Sequence, residues 1–159
     1  MSWITKIARV GRMVEPAKDA PEPAIGPPTG VAGSLQIRHV DCGSCNGCEL
    51  EITGAFSPVY DTERFGARLV ASPRHADALL ATGVVTHNMR QPLINTLNAI
   101  PEPRVVIAVG DCAVNGGVFA KGYGVVGSVG DVIRVDVEVP GCPPTPQDIV
   151  SALRTVTGR

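Results

Sequence analysis

The segment LQIRHVDCGSCNGCELEI, residues 35–52, indicates the fold class of the chain. Its first six residues, LQIRHV, predict a β-strand. Three cysteines then follow at intervals of three: Cys42, Cys45 and Cys48. The segment ELEITGAF continues as a predicted helix. A strand, a cysteine-bearing loop and a helix in succession indicate an α/β protein with a site in its loops.

The rest of the chain repeats this alternation. RVVIAVG is the clearest buried strand because it is β-branched, continuously apolar and ended by Gly110. NMRQPLINTLNAI (88–100) has apolar residues at helical spacing. A last helix is predicted to begin at Pro146, with Thr145 as N-cap and Asp148 as capping acid. The pattern predicts an open, mainly parallel α/β sheet. Its other strands are predicted at ARLVAS (67–72), ADALLATG (76–83) and RVDVEV (134–139).

The cysteine-bearing loops share one position in such a sheet. Cys42, Cys45 and Cys48 follow the first strand, Cys112 follows RVVIAVG, and Cys142 follows RVDVEV. Loops that follow parallel strands leave the same carboxyl edge, where open α/β proteins build their sites. We therefore expect these distant cysteines to converge.

Convergent thiolates are soft ligands, so zinc, copper(I) and iron–sulfur clusters are the candidates. Structural zinc usually draws its ligands as two close pairs, whereas Cys112 and Cys142 are isolated. Iron–sulfur clusters accept such scattered cysteines, and glycines in the loops leave room for backbone N–H groups to point at the sulfurs. The glycines that flank the loops are Gly43, Gly47, Gly110, Gly116, Gly117 and Gly141.

Two other interpretations of the cysteines stay open at this point. A lone buried cysteine such as Cys112 is often only a small core residue. CNGC, which lies between a strand and a helix, is also typical of a thiol–disulfide oxidoreductase that uses Cys45 and Cys48. That interpretation leaves GDCAVNGG and PGCPP unexplained.

The first 33 residues differ from the rest of the chain in composition. Residues 1–14 predict an amphipathic helix that docks on a partner subunit, and residues 15–33 contain five prolines and predict an extended linker. We expect the folded domain over residues 34–159. The apolar face of the first helix would consist of Trp3, Ile4, Ile7, Val10 and Val14, opposite Lys6, Arg9 and Arg12.

Composition narrows the function classes. A net charge of −1 argues against a nucleic-acid surface. The sequence shows neither a membrane-length apolar run nor a secretory signal, so we expect the protein in the cytosol, where thiols stay reduced. Five cysteines fit no closed disulfide framework.

Four segments together resemble a known family. CGSCNGCELEI, SPRHADALLATGVVTHNM, VGDCAVNGGVF and VPGCPPTPQDIV are similar to the small subunit of nickel–iron hydrogenases. The resemblance is closest to the membrane-associated, energy-converting type that includes formate hydrogenlyase, and the quinone-proximal iron–sulfur subunit of respiratory complex I is related. It implies a flavodoxin-like fold with helices on both faces. It also implies one 4Fe–4S cluster held by Cys45, Cys48, Cys112 and Cys142, with Cys42 not a ligand.

The resemblance implies an electron-transfer subunit of an oxidoreductase complex. The cluster would relay electrons between the nickel–iron site of a large subunit and a ferredoxin-like subunit. Membrane-embedded subunits would hold the chain on the cytoplasmic side of the membrane. A complex I-like quinone reductase subunit is the alternative. The complex I relative uses an adjacent cysteine pair where this chain has Gly47 and Cys48, which favours the hydrogenase.

Four further residues are weaker candidates. Glu51 lies one turn past Cys48, either as a proton-relay acid at a subunit interface or as a solvated first-turn residue. Arg74 and His75 follow a predicted strand, and His87 is expected to end the third strand. Histidines can tune a nearby cluster through N–H···S bonds, but a lone histidine is usually structural. None is placed among the metal ligands.

Overall fold

The structure, a computed structural model, describes residues 33–159. The predicted docking helix, residues 1–14, lies outside this range, as does the predicted linker except for its last residue. The division of the chain into these segments and a domain beginning at residue 34 remains a prediction. Within residues 33–159, no helix is both long enough and apolar enough to cross a lipid bilayer.

Five parallel strands form the central sheet, and two short strands pair antiparallel beside it. The strands are β1 (Leu35–Asp41), β2 (Ala67–Leu69), β3 (Ala78–Thr82), β4 (Val85–Thr86), β5 (Val105–Val109), β6 (Val125–Gly127) and β7 (Val137–Val139). The order in the sheet is β2-β1-β3-β5-β7. Strands β3 and β5 are buried at every position. Their sequences are apolar apart from Thr82 at the end of β3, as is typical of strands covered on both faces.

Helices cover both faces of the sheet. The described residues form α1 (Gly47–Ala55), α2 (His87–Ala99), α3 (Asp111–Asn115) and α4 (Pro146–Thr157). Helices α1 and α4 share one apolar core with the sheet, centred on Ile52, Ile107, Ile149 and Leu153. Helices α2 and α3 share the other, centred on Leu79, Leu93 and Val106. The predicted flavodoxin-like α/β fold is confirmed.

The register of the sheet brings the ends of its strands together. Asp41 of β1 lies beside Thr82 of β3, Thr82 beside Val109 of β5, and Val109 beside Val139 of β7. The loops that follow β1, β5 and β7 therefore start from one edge, as the sequence predicted.

The structure differs from the sequence-based expectations at several local points. His87 begins helix α2 and does not end the third strand, because β3 stops at Thr82 and Gly83, at φ +74°, turns the chain into β4. The segment after Gly110 forms the short helix α3, which the sequence analysis did not predict. Only the last three residues of RVDVEV form a strand. The carboxylate of Asp136 replaces a carbonyl as acceptor for the N–H of Val106 (2.9 Å).

Candidate metal centre

The loop between β1 and α1 is shaped by its own polar groups. The carboxylate of Asp41 accepts hydrogen bonds from the backbone N–H groups of Gly43 (2.8 Å) and Ser44 (2.7 Å). Asn46 adopts the left-handed conformation (φ +68°) directly before α1. This turn leaves Cys45 exposed and places Cys48, three residues after Cys45, as a buried residue in the first turn of the helix.

The loops after β5 and β7 are tied to each other. The N–H of Asp111 donates to the carbonyl of Gly141 (2.8 Å), and the N–H of Gly141 donates to the carboxylate of Asp111 (2.7 Å). Cys112 and Cys142 each follow one member of this pair. The reciprocal hydrogen bonds therefore fix the spacing of the two isolated cysteines.

Four cysteines line one cavity of about 150 Å³ at the carboxyl edge of the sheet. They are Cys45, Cys48, Cys112 and Cys142, and the rest of the lining includes Ser44, Gly47, Gly83, Asp111, Gly141 and Pro143. The structure thus brings together all four cysteines that the family resemblance selected. All four are free thiols.

Two glycines leave room for the sulfurs at this cavity. A Cβ at Gly110, which has φ +90°, would stand 2.5 Å from the Sγ of Cys48. A Cβ at Gly117, with φ +48°, would stand 3.1 Å from the Sγ of Cys112. Both positions require glycine, because other residues rarely adopt such φ values and a Cβ would crowd a thiol.

The surroundings of the cavity disfavour the charged, thiolate form of its cysteines. Burial first, and then the nearby Glu49, Cys112, Cys45 and Cys142, raise the pKa of Cys48 to about 12. The pKa of Cys112 is also raised, first by burial and then by Cys142 and Cys45. At Cys48 burial outweighs the helix dipole, which by itself favours a thiolate.

The residues fit an iron–sulfur cluster by their chemistry. Thiolates are the ligands such clusters use. The positive charge of the irons would offset both the burial and the mutual repulsion that raise the pKa values of Cys48 and Cys112. The four thiols stand around a cavity with room for a group of several atoms. Among the described residues, no three His, Cys, Asp or Glu side chains are grouped to hold a single metal ion.

Cys42 differs from the other four cysteines. It is fully buried, does not line the cavity, and packs in the core on the α2 side with Val40 and Leu79. Its Sγ lies 4.0 Å from the carbonyl oxygen of Val40. Burial, and then Asp41 and Glu49, raise its pKa to about 12. These surroundings are those of a small core residue.

The weaker candidates lie away from the cavity lining. Arg74 and His75 are exposed in a short 3₁₀ turn, and His87 is exposed at the start of α2. Glu51 is half-buried on α1. The cavity lining includes none of these candidates. The structure therefore shows no contact that supports a proton-relay role for Glu51 or a tuning role for the histidines.

Sequence reasoning missed a polar cluster beside the cavity. Glu49, which follows Cys48, contacts the hydroxyl of Thr82 and lies near the ring of His39. Polar side chains at the ends of two apolar strands, together with a carboxylate next to a cysteine, were the available signal. Only the register of β1 with β3 shows that they meet.

Comparison with known proteins shows which family this chain resembles. Residues 45–156 match the family described as "NADH ubiquinone oxidoreductase, 20 Kd subunit". Formate hydrogenlyase subunit 7 of Escherichia coli (strain K12) is 50% identical over 113 residues, which cover 71% of this chain and 44% of that protein. The chain thus spans less than half the length of that relative.

An archaeal relative is covered more completely. The probable membrane-bound hydrogenase subunit mbhJ of Pyrococcus furiosus is 48% identical over 120 residues, 76% of this chain and 72% of that protein. A chain in the structure of an archaeal membrane-bound sulfane sulfur reductase superposes with a TM-score of 0.69 at 33% identity. That match covers 79% of this chain and 70% of the other.

These relatives confirm the resemblance drawn from the four sequence segments. The matched region contains Cys45, Cys48, Cys112 and Cys142. The chain belongs to the family of the NADH ubiquinone oxidoreductase 20 Kd subunit, which is shared by subunits of hydrogenases and of NADH-quinone oxidoreductases.

Proposed function

We propose that this chain is the electron-transfer small subunit of a multi-subunit nickel–iron hydrogenase. One 4Fe–4S cluster, held by Cys45, Cys48, Cys112 and Cys142, would relay electrons between the nickel–iron site of a large subunit and a ferredoxin-like subunit. The observation that carries the proposal is the cavity that these four thiols line in a member of this family.

A bound 4Fe–4S cluster supplies a site that accepts and releases one electron at a time. The chain's residues supply the ligands and their surroundings. Cys48 lies on the buried side, whereas Cys45 and Cys142 are exposed. The cavity is therefore closed towards the core and open towards the protein surface. A partner docked over Cys45 and Cys142 would bring its own redox group near the cluster and exclude water.

Exposed apolar side chains beside the cavity support docking of partners. Leu50 on α1 is 72% exposed, and Val118, next to Gly117, is 83% exposed. Phe119 and Tyr123 extend this surface in the segment after α3. Isolated exposed apolar residues are ordinary, but these flank two of the three cysteine-bearing loops. They would contact the hydrogenase large subunit or the ferredoxin-like subunit.

The proposed location is the cytoplasmic side of a membrane, peripheral within a membrane-associated complex. Support comes from the names of relatives: one is a probable membrane-bound hydrogenase subunit, and another belongs to a membrane-bound reductase. Membrane-embedded subunits would then hold the chain in place.

A complex I-like quinone reductase subunit is the second candidate, favoured by the family description itself. In that case the same cysteines would pass electrons to quinone. A thiol–disulfide oxidoreductase is less well supported, because it would use Cys45 and Cys48 and give Cys112 and Cys142 no role at the shared cavity.

Purification of the intact complex distinguishes the candidates. We expect a tagged chain, isolated under anaerobic conditions, to co-purify with a large subunit that has two C-x-x-C motifs and contains nickel. A large partner without these motifs and without nickel, in a complex that reduces quinone, would contradict the hydrogenase proposal and support the second candidate.

A further inference from the structure

A hydrogen-bonded chain of three side chains lies beside the cysteine cavity. His39 at the end of β1, Thr82 at the end of β3 and Glu49 in the first turn of α1 form it. The His39 Nε2 is 3.0 Å from the Thr82 hydroxyl oxygen and 3.7 Å from the Glu49 Oε1. The Thr82 hydroxyl also contacts the Glu49 Oε1 directly.

The direction of these hydrogen bonds follows from the number of protons. A threonine hydroxyl has one proton, and here it is donated to the Glu49 carboxylate. The Nε2 of His39 must then donate to the Thr82 oxygen. If the His39 ring is neutral, its single N–H proton is therefore on Nε2. Burial lowers the pKa of His39, against the opposing effects of Glu49 and Asp41, and so favours that neutral ring. All donation runs towards Glu49.

Burial strengthens the electrostatic effect of the Glu49 carboxylate on its surroundings. Thr82 is fully buried, and the side chains of His39 and Glu49 are only 27% and 20% exposed. Within residues 33–159, the second carboxylate oxygen of Glu49 is buried without a hydrogen-bond partner. Solvent screens such a charge weakly. Glu49 directly follows Cys48, whose side chain lines the cavity, so the carboxylate charge lies close to the cavity.

We infer that Glu49, positioned by Thr82 and His39, lowers the reduction potential of the cluster held at Cys48. The inference rests on the proposed 4Fe–4S cluster. One-electron reduction of a cluster adds one negative charge and no atoms, and a neighbouring carboxylate disfavours that added charge. The Thr82 hydroxyl partly neutralises the carboxylate, so Thr82 is a positioning residue whose loss should strengthen the effect of Glu49.

Potentials measured on the intact anaerobic complex test the inference. Dithionite supplies the electrons, and electron paramagnetic resonance follows the reduced cluster. Glu49→Gln removes the charge at nearly constant shape, and we expect a shift to higher potential. Glu63→Gln is the matched control, because it removes an exposed carboxylate that, unlike Glu49, does not adjoin a cysteine of the cavity. We expect it to leave the potential unchanged.

Variants of Thr82 distinguish an effect through the Glu49 charge from a purely structural effect. Thr82→Val removes the hydroxyl and should lower the potential, opposite in sign to Glu49→Gln, whereas Thr82→Ser should restore the wild-type value. In the double variant with Glu49→Gln, the effect of Thr82→Val should vanish, since the two residues act through one contact. If both substitutions acted only by loosening the site, Glu49→Gln and Thr82→Val would shift the potential in the same direction.

Specific results would overturn the inference. Equal potentials of Glu49→Gln and Glu63→Gln, with iron content retained, would show that Glu49 does not act on the cluster. Shifts of the same sign in Glu49→Gln and Thr82→Val would show a structural role only. If Thr82→Val loses the cluster, the comparison of the two glutamate variants decides. A wild-type chain without iron and sulfide would overturn the proposed function as well.

Discussion

At the scale of single residues, Gly110 decides whether Cys48 fits. We expect Gly110→Ala to destabilise the domain by about 1–3 kcal/mol, through crowding in a packed region and an unfavourable positive φ. Iron content should fall with it, because the Cβ would stand 2.5 Å from the Cys48 Sγ. Thermal unfolding and iron analysis measure both effects.

Gly124→Ala is the matched control for this change. A Cβ at Gly124 meets no atom within 4 Å, so this variant should keep its stability and iron. If both variants behave like the wild type, the packing of Cys48 against Gly110 is not needed for the site.

Substitution by serine should also have different effects at the five cysteines. We expect Cys45→Ser, Cys48→Ser, Cys112→Ser and Cys142→Ser each to lose or convert the proposed cluster, since each would remove a proposed ligand that lines the cavity. Cys42→Ser should keep the full iron content. It places a hydroxyl in a fully buried site, so some loss of stability is expected. Cys42→Ala, which buries no polar group, separates that loss from metal binding.

Iron and sulfide analysis with electron paramagnetic resonance checks the serine series. Loss of iron in Cys42→Ser and Cys42→Ala, with retention in Cys45→Ser or Cys48→Ser, would mean that the ligand assignment is wrong.

At the scale of elements, helix α4 depends on its N-terminal cap. Thr145 accepts from the N–H of Asp148 (3.3 Å), and the carboxylate of Asp148 accepts from the N–H (3.0 Å) and hydroxyl (2.6 Å) of Thr145. We expect Thr145→Ala to destabilise the domain by about 1 kcal/mol. Chemical denaturation at neutral pH measures this difference.

The same cap predicts a pH dependence. Hydrogen bonds from Thr145 lower the pKa of Asp148 below its ordinary value. A lowered folded-state pKa stabilises the protein above the unfolded-state pKa of about 3.9, and this contribution is lost as the pH falls further. The stability difference between wild type and Asp148→Asn should therefore shrink below pH about 4. A constant difference would contradict the role of the Asp148 charge.

Elements with local signals were predictable from the sequence. The cap of α4 lies within four consecutive residues, and its N-cap, first residue and capping acid are all confirmed. The burial of β3 and β5 could likewise be predicted from their apolar sequences. Helix α3 has only five residues and follows a glycine, so no periodicity could indicate it.

Features that depend on distant contacts were not predictable in the same way. Thr82 and Glu49 are 33 positions apart in the sequence, and Thr82 and His39 are 43 apart. Sheet register and helix placement bring them together. The approach of the cysteines could be expected because parallel strands share an edge, but the lining of the cavity required the structure.

At the scale of the whole molecule, the N-terminal segment is expected to attach the domain to a partner. Its predicted apolar face is too short for firm lipid binding by itself. Deletion of residues 1–14 should therefore weaken co-purification of membrane subunits while iron content stays unchanged. Unaltered co-purification, measured by quantitative mass spectrometry, would count against a docking role.

The most direct test of the central claim is metal and sulfide analysis of the chain in its native complex, purified without oxygen. We expect four iron and four acid-labile sulfide per chain in excess of those on partner subunits. We also expect a single cubane signal from this chain on reductive titration, which is lost in Cys112→Ser. Stoichiometric zinc without iron at these cysteines would show that the chain holds no iron–sulfur cluster.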